Sequence, residues 1–508
     1  MSLASKPFKT IPMLVFIGVV LPLQAFAQDF SAERFAGIVD EGMTMWHVPG
    51  MAVAVINAGE VVFQQGFGVT AADGGSAVDE HTLFANASTT KAMVVSGLLM
   101  LVDEGELSLD DLVIDHIPEL HFADAALTQQ LTLRDLLAHR TGLPSTDFWT
   151  FAELLPLDEQ IERLRLVEPV AAPRTRLIYQ NTMFEIAGLI IERISGQSWD
   201  AFLAERLWDP IGMHETFGKR GDITSNLTHV LPHNYLNGEI RQVAWDLPVD
   251  RADAAGSAWT SIYDMSKWAQ FLLRGGVTED GVRLISEDGM HNMFEPHQLA
   301  APDDFYPTVA LTKPHWRTYG LGWFQQDFQG RAIDFHTGSL AGLIAIIGLD
   351  READKAVIVL ANRDHAEMRH ALLWEVMDTT ADAGKRDWNQ EIFALYEARA
   401  ETTREEWREK EQARLTGTRL RLPLDRYVGT YRSVINGDVD ITMADGKLSL
   451  ELAMGKFKMS HWHQDTFLLK DDDWEFGTLA VFDFSEDGSI LSFGFFGDEF
   501  FRVDEAGN

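Results

Sequence analysis

The chain has 508 residues, of which 46% are hydrophobic, and it carries a formal net charge of −35 and no cysteine. This length exceeds one ordinary domain, and the lack of cysteine excludes thiol catalysis, cysteine zinc sites and iron–sulfur clusters. The acidic charge disfavours nucleic acid as a partner and also suits a solvated surface.

Residues 1–27 have the layout of a secretory signal peptide. Lys6 and Lys9 precede an apolar run, Ile11–Leu23, which is followed by an A-x-A cleavage site ending at Ala27. The run is shorter than the about 20 residues that a spanning helix needs. We therefore predict cleavage after Ala27 and a periplasmic or secreted protein without a stable membrane anchor. A retained N-terminal anchor is the alternative.

Residues 28–385 show strand patterns at both ends and helical patterns between them. The middle, from about Leu107 to Arg274, is predicted to be mostly helices and loops. Strands at both ends indicate one sheet with an inserted helical lobe, an α/β (α+β) domain. Helices are predicted at Ser31–Trp46, Ala87–Glu104 and Thr182–Ser195, and strands at 51–69 and, after Thr318, at 319–326, 332–340, 342–350 and 355–362.

The C-terminal part begins with residues 386–420, charged helix formers that predict a solvated helix or linker. Residues 421–508 then carry short strands at about ten-residue spacing, which predicts an antiparallel β-barrel. His461 and His463 lie on one of these strands and lack an evident third metal ligand, so we expect packed or exposed histidines and no metal site. The barrel core is expected to contain the aromatic residues Phe482, Phe484, Phe493, Phe495 and Phe496.

The stretch from Ser88 to Lys91 carries the first chemical signal. Ser88 is expected in the first turn of a helix that starts near Ala87, where free N–H groups and the helix dipole face its hydroxyl. Lys91 lies three residues on, on the same face, and is followed by apolar residues. A buried lysine favours its neutral form and can take the serine proton. Alone, the spacing also fits a capped helix with a surface lysine.

Two later segments supply further polar groups. Tyr179 and Asn181 precede the predicted helix at Thr182. They can relay protons and hold a substrate amide, or they can be a packing tyrosine beside a helix cap. His336-Thr337-Gly338 lies in a predicted strand, where glycine lets a substrate backbone approach. An ordinary strand histidine is the alternative.

Taken together, these motifs resemble those of the peptidase S12 and class C β-lactamase-like serine hydrolases. The form of the motif set that contains a tyrosine, here Tyr179, is similar to that of the branch of class C β-lactamases, D-aminopeptidases and family VIII esterases. Flanking stretches at 131–145 and 357–364 are also similar, and the resemblance covers roughly residues 30–369. The strands after Leu422 resemble the lipocalin-like C-terminal domain of D-aminopeptidases in this family. The resemblance implies a β-lactamase/transpeptidase-like domain and a lipocalin-like barrel.

The resemblance also implies catalytic roles. Ser88 would be the nucleophile that forms an acyl-enzyme. Lys91 and Tyr179 would share the role of base, and which of them removes the serine proton stays open. Tyr179 would then protonate the leaving group. No cofactor is implied.

Binding roles follow from the same resemblance. Asn181 would hold the acyl side of the substrate, and the oxyanion would lie between the backbone N–H groups of Ser88 and Ser339. The adjoining residues His336, Thr337 and Gly338 would line this position. His336 departs from most β-lactamases, which carry a lysine there. A histidine is mostly neutral at neutral pH, so a substrate carboxylate would be held only weakly.

Together with the signal-peptide layout, the resemblance implies an exported serine hydrolase that cleaves amide bonds of small, D-residue or non-ribosomal peptides. The alternatives are a family VIII-type carboxylesterase or weak β-lactamase that uses the same serine and, from another class, an inert ligand-binding protein. The substrate would be a small peptide or ester, and the oligomeric state stays open. Loops at 146–154 and 295–316 are expected to form the pocket walls, because loops carry specificity.

Overall fold

The computed structural model describes residues 30–149, 155–243, 253–379, 385–452, 455–471 and 475–503. The predicted signal peptide lies outside these residues. Within the described ranges, no helix combines the length and the apolar character that crossing a membrane requires.

The strands lie in two groups, one before residue 362 and one after residue 428. In chain order they are β1 Gly50–Asn57, β2 Glu60–Gly68, β3 Leu83–Ala85, β4 His233–Leu236, β5 Glu239–Gln242, β6 Trp259–Ser261, β7 Gln298–Leu299, β8 Arg317–Tyr319, β9 Phe324–Phe328, β10 Arg331–Leu340, β11 Leu343–Asp350, β12 Lys355–Ala361, β13 Gly429–Ser433, β14 Gly437–Ala444, β15 Lys447–Leu452, β16 Gly455–His463, β17 Thr466–Lys470, β18 Thr478–Phe484, β19 Ile490–Phe495 and β20 Asp498–Arg502.

The α-helices all precede residue 414. They are α1 Ala32–Trp46, α2 Thr90–Asp103, α3 Val113–His116, α4 Ala125–Thr128, α5 Leu133–Leu137, α6 Leu157–Arg163, α7 Asn181–Ser195, α8 Trp199–Leu203, α9 Ile262–Leu273, α10 Glu287–Phe294, α11 Val309–Thr312, α12 Met368–Met377 and α13 Trp388–Ala413. Ser31 is the N-cap of α1 and accepts a hydrogen bond from the Arg34 N–H, and Gly196 ends α7 with a left-handed φ of 75°.

An antiparallel sheet forms the centre of the larger domain. Its eight strands lie in the order β2-β1-β12-β11-β10-β9-β8-β7. They come from two distant segments, 50–68 and 298–361, and helices α2 to α10 lie in the chain between these segments. The predicted arrangement, one sheet with an inserted helical lobe, is therefore confirmed.

The sheet is covered on both faces. Along β1, the side chains at 51, 53 and 55 join an apolar cluster with α1 and α12, and those at 52, 54 and 56 join a second cluster with α2, α7 and α9. Successive side chains of a strand point to opposite faces. Burial on both faces explains why the sequence of this strand is continuously apolar and does not alternate with polar residues.

One strand prediction in this domain was wrong. The stretch 319–326 is not one strand, because β8 ends at Tyr319 and β9 begins at Phe324. Between them, Gly322 has a φ of 79° and a Cβ there would lie 3.2 Å from the backbone of Ala92, so a turn packs against α2. The short strands β4, β5 and β6 lie in the region that was predicted to be mostly helices and loops, and they were not predicted individually. Strands of three or four residues are too short to show a period.

The second domain is a closed antiparallel barrel of strands β13 to β20. This confirms the predicted barrel, although β20 was not predicted as a strand. The closing strand pairs with β13 and carries two acidic residues, which hid its pattern. Phe496 is not a core residue as predicted. It occupies the turn between β19 and β20 with a φ of 49°, and its side chain is 55% exposed.

The two tail histidines bind backbone groups. The Leu415 N–H donates to Nδ1 of His463, and Nε2 of His461 lies 2.8 Å from the Gln464 carbonyl oxygen. A bulge separates the two histidines along β16. In the part of the chain that the structure describes, no group of three His, Cys, Asp or Glu side chains could hold a metal ion.

Helix α13 joins the two domains. At its beginning, Trp388 and Ile392 are buried in the larger domain. Further along, the ring of Trp407 contacts the rings of Trp462 and Phe476, which belong to the barrel. Residues 388–413 of the predicted linker, 386–420, thus form a continuous helix that packs on a domain at each end.

Candidate active site

Ser88 lies in a 3₁₀ turn, Ala87–Thr89, directly before α2, and not in the first turn of the α-helix as predicted. Ala87 has a φ of 47°, a conformation that costs energy in a residue with a Cβ. The Thr89 hydroxyl stabilises the turn by donating to the Asn86 carbonyl oxygen at 2.7 Å. The turn orients the Ser88 hydroxyl towards Lys91.

Lys91 is completely buried, and three oxygen atoms surround its amine. Its Nζ lies 3.1 Å from Ser88 Oγ, 2.8 Å from Asn181 Oδ1 and 2.6 Å from the Ala255 carbonyl oxygen. The amide and carbonyl oxygens can only accept hydrogen bonds. When Lys91 is neutral, its two hydrogens are therefore donated to these oxygens, and its lone pair faces the Ser88 hydroxyl.

The pKa of Lys91 favours this neutral form near neutral pH. Burial lowers its pKa from 10.5 to about 7, although the negative charges of Asp147 and Glu185 oppose part of the effect. A base that abstracts a proton at neutral pH works best with a pKa near the working pH. The geometry and the pKa of Lys91 therefore both suit removal of the Ser88 proton.

Tyr179 lies beside the same hydroxyl. Its ring centre is 4.9 Å from Lys91 Nζ, so the amine also contacts the face of the ring. Burial raises the pKa of Tyr179 well above 10, and interaction with the Ser88 hydroxyl opposes part of this rise. The Tyr179 hydroxyl nonetheless has no hydrogen bond of standard geometry to any described residue. Tyr179 is thus a neutral phenol near the Ser88 hydroxyl.

Asn181 connects Lys91 to a carboxylate that we did not predict from the sequence. Its side-chain oxygen accepts from Lys91, and its Nδ2 donates to Oδ1 of Asp147 at 2.9 Å. The Asn181 backbone N–H also points to this oxygen, at 3.4 Å. Asp147 follows the stretch LPST in a loop that was expected to line the pocket, and nothing in its local pattern marked it.

The strand with the His-Thr-Gly motif packs directly against the Ser88 turn. A Cβ on Gly338 would lie 2.5 Å from the Asn86 carbonyl oxygen and 2.9 Å from the Ser88 backbone nitrogen. Only glycine allows this approach. β10 pairs with β9 only as far as Phe335, so its residues from His336 onward have no strand on that side. The predicted oxyanion position, between the N–H groups of Ser88 and Ser339, lies in this region.

His336 is neutral and held in one orientation. Its Nδ1 lies 2.6 Å from the Thr337 carbonyl oxygen, which can only accept. Nδ1 therefore carries the proton, and Nε2 accepts from the Tyr319 hydroxyl at 3.1 Å. Burial lowers the pKa of His336 to about 3, and the charge of Lys91 adds to this effect. His336 is thus no cation at neutral pH.

Arg369, which we also did not predict, supports the motif strand from behind. Its Nη1 donates to the Gly338 carbonyl oxygen at 2.6 Å and to Ser339 Oγ at 2.9 Å. Its other nitrogens pair with the carboxylate of Glu367, at 3.0 and 3.1 Å. Burial would raise the pKa of Glu367, but the charge and hydrogen bonds of Arg369, together with two neighbouring histidines, outweigh this effect and lower the pKa to about 2. The paired guanidinium is buried and neutralised by its own partner.

These groups surround a pocket of about 420 Å³, a volume typical of small-molecule sites. It is lined by the predicted site residues Ser88, Tyr179, Asn181, His336, Thr337 and Ser339. Lys91 and Gly338 lie behind this surface. The described parts of the two expected loops form its walls, with aromatic rings at Phe305 and Tyr306 and carboxylates at Asp147, Asp303 and Asp304. The pocket is aromatic and acidic.

Comparison with protein families gives one match for each domain. The family described as Beta-lactamase matches residues 35–382, and the family described as Domain of unknown function (DUF3471) matches residues 413–506. The first match covers more than half of the chain and contains every residue of the pocket. The second contains the barrel.

Individual proteins are similar over the same regions. The Unguisins hydrolase ungD' of Aspergillus campestris is 28% identical over 383 residues, which are 70% of this chain and 67% of that protein. The octameric penicillin-binding protein homologue from Pyrococcus abyssi has a TM-score of 0.61 at 20% identity and covers 93% of this chain and 100% of its own. The D-stereospecific amidohydrolase from Streptomyces sp. has a TM-score of 0.56 at 20% identity and covers 69% of this chain and 100% of its own. At these identities the solved structures support the fold alone.

Replacing Gly338 tests the close packing of β10 on the Ser88 turn. We expect Gly338→Ala to slow labelling of Ser88 by a fluorophosphonate roughly 100-fold, because the displaced strand no longer aligns an oxyanion donor. Labelling can be followed by intact mass, with circular dichroism as the check on folding.

The matched control is Gly494→Ala, since Gly494 also lies in a strand and the nearest atom to its Cβ would be 4.0 Å away. This variant should label at the wild-type rate. Equal labelling rates for the two variants would contradict the proposed packing constraint.

Proposed function

Because the chain belongs to the β-lactamase family and is a serine hydrolase, we propose that it cleaves amide bonds of small peptides through an acyl-enzyme on Ser88. The observation that carries this proposal is the buried amine of Lys91, 3.1 Å from the Ser88 hydroxyl and with a pKa of about 7. An activated nucleophile needs such a base within hydrogen-bonding reach.

In the acylation step, neutral Lys91 takes the Ser88 proton while Oγ attacks the substrate carbonyl carbon. The carbonyl oxygen becomes an oxyanion between the N–H groups of Ser88 and Ser339, each worth about 2.7–4 kcal/mol of barrier. The C–N bond then breaks. The leaving nitrogen receives a proton from the Tyr179 hydroxyl, which Lys91 reprotonates. The products of this step are an amine and an ester on Ser88.

Hydrolysis of the ester reverses these proton transfers. Lys91 takes a proton from water, the hydroxide attacks the ester carbonyl carbon, and the proton returns to Ser88 Oγ as the C–O bond breaks. This assigns the role of base, which the sequence left open, to Lys91. The high pKa of Tyr179 makes its phenolate too costly to start the reaction, but a neutral phenol can pass a proton on.

The charges of the pocket favour a substrate with a free amine and no carboxylate near the reacting bond. His336 is neutral, and the charge of Arg369 is already paired with Glu367. We propose that Asp147 binds the substrate amine, because it lines the pocket and no described residue forms an ion pair with it. The aromatic walls would hold an apolar side chain.

The names of similar proteins fit this proposal. One relative is named as a hydrolase of unguisins, and one solved structure is of a D-stereospecific amidohydrolase. We therefore keep peptides with D-residues and non-ribosomal peptides as the substrate class. We further propose that the protein is exported and cut after Ala27. Cleavage of esters or β-lactams by the same serine is the alternative, and the substrate panel below separates these reactions.

The first test compares substrates and serine variants. Amides of D- and L-amino acids with free amines, p-nitrophenyl esters and a chromogenic cephalosporin are hydrolysed in parallel by the wild type and by Ser88→Ala. We expect the amides to be the preferred substrates and the variant to lose at least about 10³-fold in kcat. Mass spectrometry should locate the acyl group on Ser88.

Ser96→Ala is the matched control, because Ser96 lies in α2, the helix that follows the Ser88 turn, and its hydroxyl donates to the Ala92 carbonyl oxygen, away from the pocket. It should keep wild-type activity. Amide hydrolysis that survives in Ser88→Ala would contradict the proposal, and a clear preference for esters or for the cephalosporin would favour the alternative.

The pKa of Lys91 predicts the pH dependence. Below pH 7 the amine is protonated and cannot accept the serine proton, so the rate of fluorophosphonate labelling should rise about tenfold per pH unit up to pH 7 and then level off. His336, with a pKa of about 3, should add no transition between pH 5 and 9. A labelling rate that does not change from pH 5 to 9 would contradict the role of Lys91 as the base. In a second experiment, the variant Lys91→Arg should show almost no labelling, because its guanidinium stays protonated.

Asp147→Asn tests the amine site. The variant keeps an acceptor for Asn181 but loses the charge, so kcat/KM for a free-amine peptide should fall about 10- to 150-fold, the range for a hydrogen bond to a charged group. The N-acetylated peptide and the labelling rate should change little. Asp303→Asn is the comparison, because Asp303 lines the same pocket. A selective loss in that variant instead would move the amine site to the other wall.

A further inference from the structure

We propose that the C-terminal barrel positions Asp147 in the pocket, so that the domain of unknown function takes part in substrate recognition. The proposal rests on the proposed function for what Asp147 binds, but its structural part stands on contacts alone. Three consecutive residues carry it. Asp147 lines the pocket, while Phe148 and Trp149 contact the barrel.

Phe148 makes the apolar part of this contact. Its ring centre lies 6.2 Å from that of Phe496 and 6.4 Å from that of Phe500. Phe148 also packs against the main apolar cluster of the larger domain, so its ring lies between the two domains. Phe496 thus connects Phe148 to the barrel, because its ring also contacts that of the core residue Phe495, with 4.4 Å between the ring centres.

Trp149 makes the polar part. It is fully buried, and its Nε1 donates to Oδ1 of Asn436 at 2.9 Å. Asn436 is in turn oriented by the barrel, because its Nδ2 donates to Oδ2 of Asp498 at 2.7 Å. Asp498 accepts only, so the amide has one orientation and its oxygen faces Trp149. A buried indole N–H that loses its acceptor is costly, which makes this bond specific.

The surrounding contacts fix the barrel at this point. The loop between β13 and β14 also receives a hydrogen bond from Nη1 of Arg163 to the Ile435 carbonyl oxygen, at 3.1 Å. Helix α13 holds the barrel at a second place through Trp407. Since neighbouring Cα atoms are only 3.8 Å apart, a displacement of Phe148 or Trp149 also displaces Asp147. Asp147 then moves relative to Asn181 and the pocket.

The test uses the full chain with Asn436→Ala and Phe496→Ala. We expect each to lower kcat/KM for the free-amine peptide about 3- to 10-fold, the equivalent of one lost hydrogen bond or ring contact. The N-acetylated peptide and the rate of fluorophosphonate labelling should stay near the wild type. Amide hydrogen exchange in a peptide covering residues 145–149 should become faster.

The matched control is Phe501→Ala, since Phe501 is also an aromatic residue on the barrel surface, 43% exposed. It should leave both substrates and the exchange rate unchanged. An equal fall for both peptides would indicate a general loss of stability and overturn the proposal, and so would unchanged exchange at 145–149. If the wild type does not prefer the free-amine peptide over the N-acetylated peptide, the proposal that Asp147 binds the substrate amine is wrong. The hydrogen-exchange measurement alone then decides whether the barrel positions residues 145–149.

Discussion

Burial of the Lys91 amine is the constraint on which the rest of the site depends. Lowering its pKa from 10.5 to about 7 makes the protonated form costlier in the folded protein by an amount on the order of 5 kcal/mol. The surrounding structure directs the resulting lone pair, because Asn181 and Ala255 accept both hydrogens of the neutral amine. The strained turn at Ala87 and the glycine strand next to it place Ser88 opposite that lone pair.

The charges around the pocket also determine which substrate charges it favours. A lysine in place of His336 would put a second cation near Lys91 and lower its pKa further, and it would also offer a partner to a substrate carboxylate. In this protein the histidine is neutral, and the nearby guanidinium of Arg369 has its own carboxylate. Asp304 at the pocket surface is paired with Arg176, so the carboxylates of Asp147 and Asp303 are the charges that an incoming substrate meets. The electrostatic preference of the pocket follows in part from the Arg369–Glu367 ion pair, which forms entirely inside the protein.

The sequence was sufficient for the motifs but not for the groups that orient them. Ser88, Lys91, Tyr179 and the His-Thr-Gly strand could be named because a nucleophile, its base and a glycine at a close approach are defined by residue type and local spacing. Asp147 and Arg369 act through partners far away in the chain. Such contacts leave no periodic pattern in the local sequence. The turn within 319–326 and the closing strand β20 were missed for related reasons. A packed turn resembles an apolar strand, and acidic residues hide a strand whose other face is buried.

The barrel is attached to the larger domain at two separated places, the end of α13 and the loop around Asn436. A rigid body held at one point can rotate about three axes, whereas a body held at two points keeps only the rotation about the line that joins them. Rotation about the line through these two places is thus the motion of the barrel that the contacts restrain least. One end of that line lies at the hydrogen bond between Trp149 and Asn436, two residues along the chain from the pocket residue Asp147.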